Sequence, residues 1–411
     1  MKTKTLYLFI GAAVIALIIA FAMNRAQAPK SDAASHAQPV VPGLKEHLND
    51  VTGLTFTGAG DKTLATLRHE KDGWVIAEKS NYAADLTKLR EFLLKLSQAN
   101  VIEEKTSNPK RYAELGVDDV KEASATGVRV DIAGLAQPTK LIIGNFNGAG
   151  GGGTFVRRDG DAQSLLAEGN LTVAKNIVDW EKRDLADIPA SRISAVTLTS
   201  ADGKTWKAFK EQAGDANLKV ADVPKGREVS SDYAANSVST VLSNLRADDA
   251  MPAKEVAAPE KAAKVRYAMF DGLTVDATTW QKDNKDFAQF AVTLDTAAAN
   301  ADIDRVQAKA KADFDAAVAK KPADAKSDAA QTELPKPLAV SDPAKDRQEK
   351  LDALNAELAA FKKTFDGWTF VLPTYKYTDM TKTIDDTLKP LDAKKPDAAS
   401  AKKAPAKPAS K

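Results

Sequence analysis

Apolar and polar residues alternate through "LTFTGAGDKTLATLRHEKDGWVIAEK", Leu54 to Lys79, around a glycine-rich turn and then around "KDGW". Period-two alternation broken by turn residues predicts a β-hairpin that runs into a third strand. The period changes after Asp85, a candidate N-cap: Leu86, Leu89, Leu93 and Leu96 recur at three- and four-residue spacings, with Lys88, Arg90, Glu91 and Lys95 largely turned elsewhere. That spacing predicts an amphipathic helix laid over the neighbouring strands. Further on, "ANVIEEKT" reads as extended, "NPKRYAELGV" as one short helical turn, and "GVRVDIAG", "TKLIIGNF" and "GTFVRRDG" as strands, before "LTVAKNIVDWEKRDL" (171–185) returns to a helical pattern.

The pattern then restarts. "LTFTGAGDKTLATL" from Leu54 and "VTLTSADGKTWKAF" from Val196 align without a gap, so that Leu54, Phe56, Lys62 and Thr63 meet Val196, Leu198, Lys204 and Thr205. Tyr82-Ala83-Ala84 meets Tyr233-Ala234-Ala235, and Leu86, Leu89 and Leu93 meet Val238, Val241 and Leu245 after loop-sized slips. Agreement in order, residue type and spacing implies an internal duplication of a hairpin-plus-helix unit, with Tyr82 and Tyr233 in equivalent structural places.

The second copy carries additions. "KVRYAMFDGLTVDATTW" and "KDFAQFAVTLD" alternate as strands, and then two alanine- and charge-rich segments follow, "TAAANADIDRVQAKAKADFDAAVAKK" and "DPAKDRQEKLDALNAELAAFKKTF". Their composition predicts an inserted helical hairpin, a short coiled coil, with a flexible tip around 319–343. "DGWTFVLPTYKYTDM" resumes a strand-like pattern that should rejoin the second sheet. From Lys389 the chain is lysine, alanine and proline without an aromatic residue, a composition that predicts a disordered tail.

At the other end, Lys2 and Lys4 precede an uncharged apolar run from Leu6 to Met23, closed by Asn24 and Arg25. Its 18 residues would rise roughly 27 Å as a helix, enough to approach a bilayer core. This predicts a membrane anchor contacting lipid, with a cleaved secretory signal as the alternative, since "AQA" at 26–28 has the small-x-small look of a cleavage site. Either reading puts the rest of the chain outside the cytoplasm, because terminal lysines stay inside. Residues 26–50 are small, polar and proline-punctuated and read as a tether.

Composition narrows the chemistry. Lys+Arg 58 against Asp+Glu 56 leaves a formal charge of +2, which provides no global field for nucleic acid. The absence of cysteine excludes disulfides, thiolate catalysis, cysteine-ligated zinc and an acylated lipoprotein anchor. Gly150 to Gly153 run into a strand pattern, not into a helix with a lysine, so they read as a hairpin connection and not as a phosphate loop. His36, His47 and His69 share no metal-like spacing. Glu103-Glu104, Asp118-Asp119 and Asp248-Asp249 are adjacent pairs whose side chains diverge on a strand, which reads as solvated edge. Trp74, Trp180, Trp206, Trp280 and Trp368 each sit in an alternating or amphipathic stretch and read as packing. No catalytic, cofactor or metal residue is therefore assigned.

The stretch from "KDGWVIAEKSNYAADLTKLREFLLKLSQANVIEEKTSNPKRYAELGV" to "VDWEKRDL" resembles the DUF4340 family of single-span bacterial envelope proteins. The positions that carry the resemblance are Gly73, Trp74, Asn108, Tyr112, Leu115, Gly116, Asp179 and Trp180; the proline often found after Leu-Gly is missing. The resemblance implies an accessory role beside ABC-type transport systems and offers no catalytic residue.

The expectation is an α+β fold: an N-terminal transmembrane helix (1–25), a tether (26–50), and two duplicated, mainly antiparallel sheet-plus-helix lobes (51–190 and 191–388). A helical insertion falls at about 297–365, and a tail at 389–411. The expected function is a non-catalytic, membrane-tethered protein of the bacterial inner membrane, N-terminus cytoplasmic and bulk periplasmic, binding a protein or polymer partner and no nucleic acid. The alternatives are an envelope hydrolase with a site between the lobes and a cell-wall-binding spacer held by the lysine tail.

Overall fold

A computed structural model describes residues 38–148, 152–319 and 335–391. The chain divides into two compact units between Trp180 and Glu181, and each is an α+β body with an antiparallel main sheet.

The first unit is built on nine strands: β1 (Gly53–Gly58), β2 (Lys62–Glu70), β3 (Gly73–Ile76), β4 (Tyr82–Ala83), β5 (Val101–Glu104), β6 (Val128–Ala133), β7 (Thr139–Asn147), β8 (Gly153–Arg158) and β9 (Ser164–Glu168). Their spatial order is β4-β3-β2-β1-β6-β7-β8-β9-β5. The alternation around Leu54 puts Leu54 and Phe56 into the core opposite Leu67 and Ala65. Helix α1 (Leu86–Gln98) starts where Asp85 accepts the Lys88 amide at 3.0 Å, and buries Leu89, Phe92, Leu93 and Leu96. Leu86 stays 39 % exposed and Phe92 takes its place on the buried face. A second short helix, α2 (Tyr112–Leu115), ends at Gly116 in the left-handed conformation.

The second unit holds β10 (Asp184–Ala186), β11 (Ile193–Thr199), β12 (Thr205–Phe209), β13 (Lys219–Val220), β14 (Arg227–Val229), β15 (Leu245–Arg246), β16 (Asp249–Pro252), β17 (Ala263–Met269), β18 (Leu273–Lys282), β19 (Lys285–Leu294), β20 (Trp368–Leu372) and β21 (Leu388–Pro390). Its main sheet runs β13-β12-β11-β17-β18-β19-β20-β16, and β10–β15 and β14–β21 form two small ribbons. Helices α3 (Asp232–Asn236), α4 (Thr296–Ala319), α5 (Leu338–Ser341), α6 (Pro343–Phe365) and α7 (Thr374–Met380) complete it. From β2 and β12 onward the two main sheets have the same order: hairpin, three further strands, a fourth, and an edge strand returned from earlier in the chain.

Several expectations need correction. The fold class included a transmembrane helix, but among the described residues no helix is long and apolar enough to cross a membrane. The span placed at Leu6 to Met23 lies outside the described residues, as do residues 320–334 of the hairpin tip and residues 392–411 of the tail. The stretch assigned to a tether through residue 50 is packed from Pro39 on. Val40, Val41 and Leu44 are buried in the first core, Val40 donates to the Ala99 carbonyl, and Pro39 bridges to Asn100. Residues 171–185 contain one 3-10 turn, Ile177–Trp180, and then β10, not a helix.

The repeated helix is also not repeated in form. Asp232–Asn236 is followed by a 3-10 turn, Ser237–Thr240, in which Ser239 and Thr240 donate to the carbonyls of Asn236 and Ser237. Such hydroxyls compete with the backbone ladder and shorten the helix, although Val238, Val241 and Leu245 still reach the core. Tyr82 is buried on a strand, whereas Tyr233 is 78 % exposed on a helix, so the two tyrosines are not structural equivalents.

Candidate functional site

The two copies differ most at one hairpin. In the first unit β8 and β9 are joined by residues 159–163, while in the second unit the equivalent strands β19 and β20 are joined by residues 295–367, which contain α4, α5 and α6. An added element must be fixed to the sheet that carries it, and α6 does this by lying against β19. Phe365 of α6 is fully buried beside Phe290 at 5.1 Å, and Phe361 stacks on Phe365 at 5.6 Å. Leu354 on the same helix is buried, as are Ala299 and Ile303 of α4.

A charged clamp completes the attachment. Arg192, at the entry to β11, donates to Asp271 Oδ2 at 2.5 Å and forks onto Glu357 of α6 at 2.6 and 2.7 Å. Burial works against the guanidinium charge, but the hydrogen bonds to Glu357 and Asp271 outweigh it and hold its pKa above the ordinary value. Planar two-point pairing of this kind fixes the direction of α6 as well as its distance from the sheet.

Polar contacts join α4 to α6. Gln307 donates to the Pro343 carbonyl and to Asp346, and Arg347 reaches Asn300 and Asp304. Asp346 is held below the usual carboxylate range by its hydrogen bond from Lys350, with Gln307 adding to this against the effect of burial. Beyond Gln307 helix α4 continues to Ala319, about 18 Å of helix at 1.5 Å per residue. This overhang is supported by its own i,i+4 pairs, Lys309–Asp313 and Lys311–Asp315, and presents Val318 at 48 % exposure. It is a solvent-facing helix on a braced base.

The residues singled out by sequence do not converge on a reaction centre. Residues 149–151 of the glycine run lie outside the described residues, and on either side β7 and β8 pair as a hairpin up to Asn147 and Gly153. His47 contacts Asp50 at 2.7 Å on the surface, His69 stacks on Trp74 at 5.4 Å, and His36 lies outside the described residues. Among the described residues no group of three or more His, Asp or Glu is placed to hold a metal ion. Glu103 pairs with Lys105, Asp119 caps the Lys121 amide, and Asp248 pairs with Arg183. Trp280 stacks on Phe287, and Trp206 donates to the Lys382 carbonyl at 2.8 Å.

The positions that carried the family resemblance have structural work. Trp180 is buried, stacks on Phe56 at 4.6 Å, and accepts the Asp85 amide on its carbonyl at 2.7 Å. Tyr112 donates to the Ala162 carbonyl and lies under the Arg157 guanidinium, which is buried and donates to the Val117 carbonyl at 2.9 Å. Gly116 and Gly144 let strand β7 and the end of α2 approach closely; a Cβ on Gly144 would lie 2.4 Å from the Leu115 carbonyl oxygen.

The clamp itself escaped the sequence reading. Arg192 and Glu357 stand 165 positions apart, and no periodicity links them. The signal that was available is the insertion at the turn of a duplicated hairpin.

Compared with known proteins, residues 74–266 match the family model described as "Domain of unknown function (DUF4340)". No curated protein and no solved structure shows a significant match.

Proposed function

Since this chain belongs to the DUF4340 family, we propose that it is a non-catalytic binding protein of the bacterial cell envelope, which docks a protein partner on the helical insertion of its second unit. The observation that carries this reading is the α4–α6 pair: one copy of the duplicated fold has it, the other has a turn in its place, and Arg192 clamps it to the sheet. A helix that overhangs its base without burying itself is suited to helix-to-helix recognition. The partner class that the family implies is a component of an ABC-type transport system. The localisation proposed is outside the cytoplasm, which the lysines before the apolar run at Leu6 to Met23 favour.

A photo-crosslinking residue at Val318, with a control at the exposed Lys121, tests the docking reading in intact cells. The expected product is a discrete adduct with a transporter component from Val318 and none from Lys121. Equal labelling from both positions, or no adduct from Val318, would overturn the proposal. A phosphatase fused after residue 50 tests the localisation independently, and enzyme activity confined to the cytoplasm would refute it.

A further inference from the structure

One end of the second sheet holds a cavity of about 410 Å³, and its walls come from the β11–β12 hairpin, the start of β17 and the loop after α7. Leu198, Trp206, Ala263 and Met380 line it as buried side chains, and Ile384 is half-buried at its edge. The polar groups around it are already engaged. The Trp206 indole donates to Lys382, the Lys382 ammonium donates to Ser237 and Asp379, and Thr199 and Thr205 bond each other at 3.0 Å. At the rim the exposed Lys204 pairs with Asp202 at 2.9 Å.

The first unit shows the same corner closed. Leu198 and Trp206 align with Phe56 and Leu64, and Phe56 is covered by Trp180 stacked at 4.6 Å and Phe92 at 5.7 Å. The β1–β2 turn there is also capped by the following chain, since Gly60 and Asp61 donate to the carbonyls of Glu122 and Val120, with Val120 fully buried. The second copy has the smaller Leu198 for Phe56 but the larger Trp206 for Leu64, and an open loop stands in place of that cap. The cavity opens to solvent at the hairpin rim and its accessible lining is mostly apolar, so an apolar occupant gains by covering it.

We infer that this cavity is a binding site for a medium-length acyl chain, with the head of the amphiphile at the Lys204–Asp202 rim. An apolar cavity of about 150 Å³ accepts one benzene ring, so this one takes on the order of a dozen carbons. A polar body is disfavoured, because the engaged lining would leave its hydrogen-bonding groups unpaired. The site lies wholly in the second unit and does not depend on the helical insertion or its partner.

The test is calorimetric titration of the full chain with dodecanoate and, separately, with a dodecanoyl lysophospholipid. Saturable one-to-one binding of either supports the site, and which of them binds more tightly identifies a free acid or a lipid as the source. Leu198→Phe, which copies the first unit, and Ala263→Leu each fill the cavity and should weaken binding at least tenfold without lowering the thermal midpoint. Should either variant fold poorly, amide exchange in the wild-type protein decides, with slowing expected at residues 380–387 on adding dodecanoate. Absence of binding by both ligands, binding undiminished in both folded variants, or unchanged exchange at 380–387 would overturn the inference.

Discussion

Replacing Arg192 by Met removes the clamp on the helical insertion while keeping most of the side-chain volume. Three charge-assisted hydrogen bonds are lost, and Asp271 and Glu357 are left as carboxylates 22 % and 31 % exposed without their cation. A fully buried pair broken on one side costs about 3–5 kcal/mol, and an exposed pair about 0–1 kcal/mol. The intermediate burial here places the cost at about 2–3 kcal/mol. Because the clamp joins α6 to the sheet, the loss should appear first as local opening of α6, with global unfolding affected less. Native-state amide exchange reads this directly: protection across Pro343–Phe365 should fall roughly 30- to 150-fold, since each 1.4 kcal/mol is a factor of ten. Protection in β6 and β7 of the first unit serves as the internal control. Combining Arg192→Met with Glu357→Gln should cost less than the sum of the two single changes. Unchanged protection in α6, or strict additivity of the pair, would show that Phe365 and Leu354 alone hold the insertion.

Two further outcomes follow from the packing and the charges. Trp180→Ala removes the ring stacked on Phe56 and should destabilise the first unit by about 3–5 kcal/mol, read as the urea midpoint of its transition; a shift below about 1 kcal/mol would deny Trp180 its place in that core. The Asp386 carboxyl is held below its usual range by hydrogen bonds from the Thr383 hydroxyl and amide, against the effect of burial. A depressed carboxylate binds fewer protons folded than unfolded, so its stabilisation is complete above the unfolded value of about 3.9 and is lost as pH falls through the folded value. Denaturation midpoints at pH 5 and pH 3 should therefore converge in Asp386→Asn relative to wild type, and equal pH dependence in the two would refute this role.

What the sequence disclosed depended on the range of the interactions. The strands around Leu54, Val196 and Val130 were legible because alternation is local and one face meets the core, as was the helix after Asp85. The second helix was misread because Val238, Val241 and Leu245 keep helical spacing while Ser239 and Thr240 bond the backbone and end it early. Residues 39–44 looked like linker, since a short proline-bounded apolar pair gives no periodicity, yet a cross-chain bridge at Asn100 secures them. The clamp and the cavity arise from residues far apart in sequence, and no local pattern announces either.

The edge strands carry a consequence for how the chain is made. In both units the last strand of the sheet, β5 or β16, precedes in sequence the strand it pairs with, β9 or β20. The insertion nearly doubles the chain that must emerge before β16 finds β20, which adds only about 0.6 kcal/mol of loop-closure entropy. The larger effect is on timing. β16 waits with an unpaired edge while more than a hundred residues are delivered, so the second unit is the one exposed to mispairing during synthesis. A helical pair that folds from local contacts fills that interval and can bring the two ends of the missing hairpin together before the sheet closes.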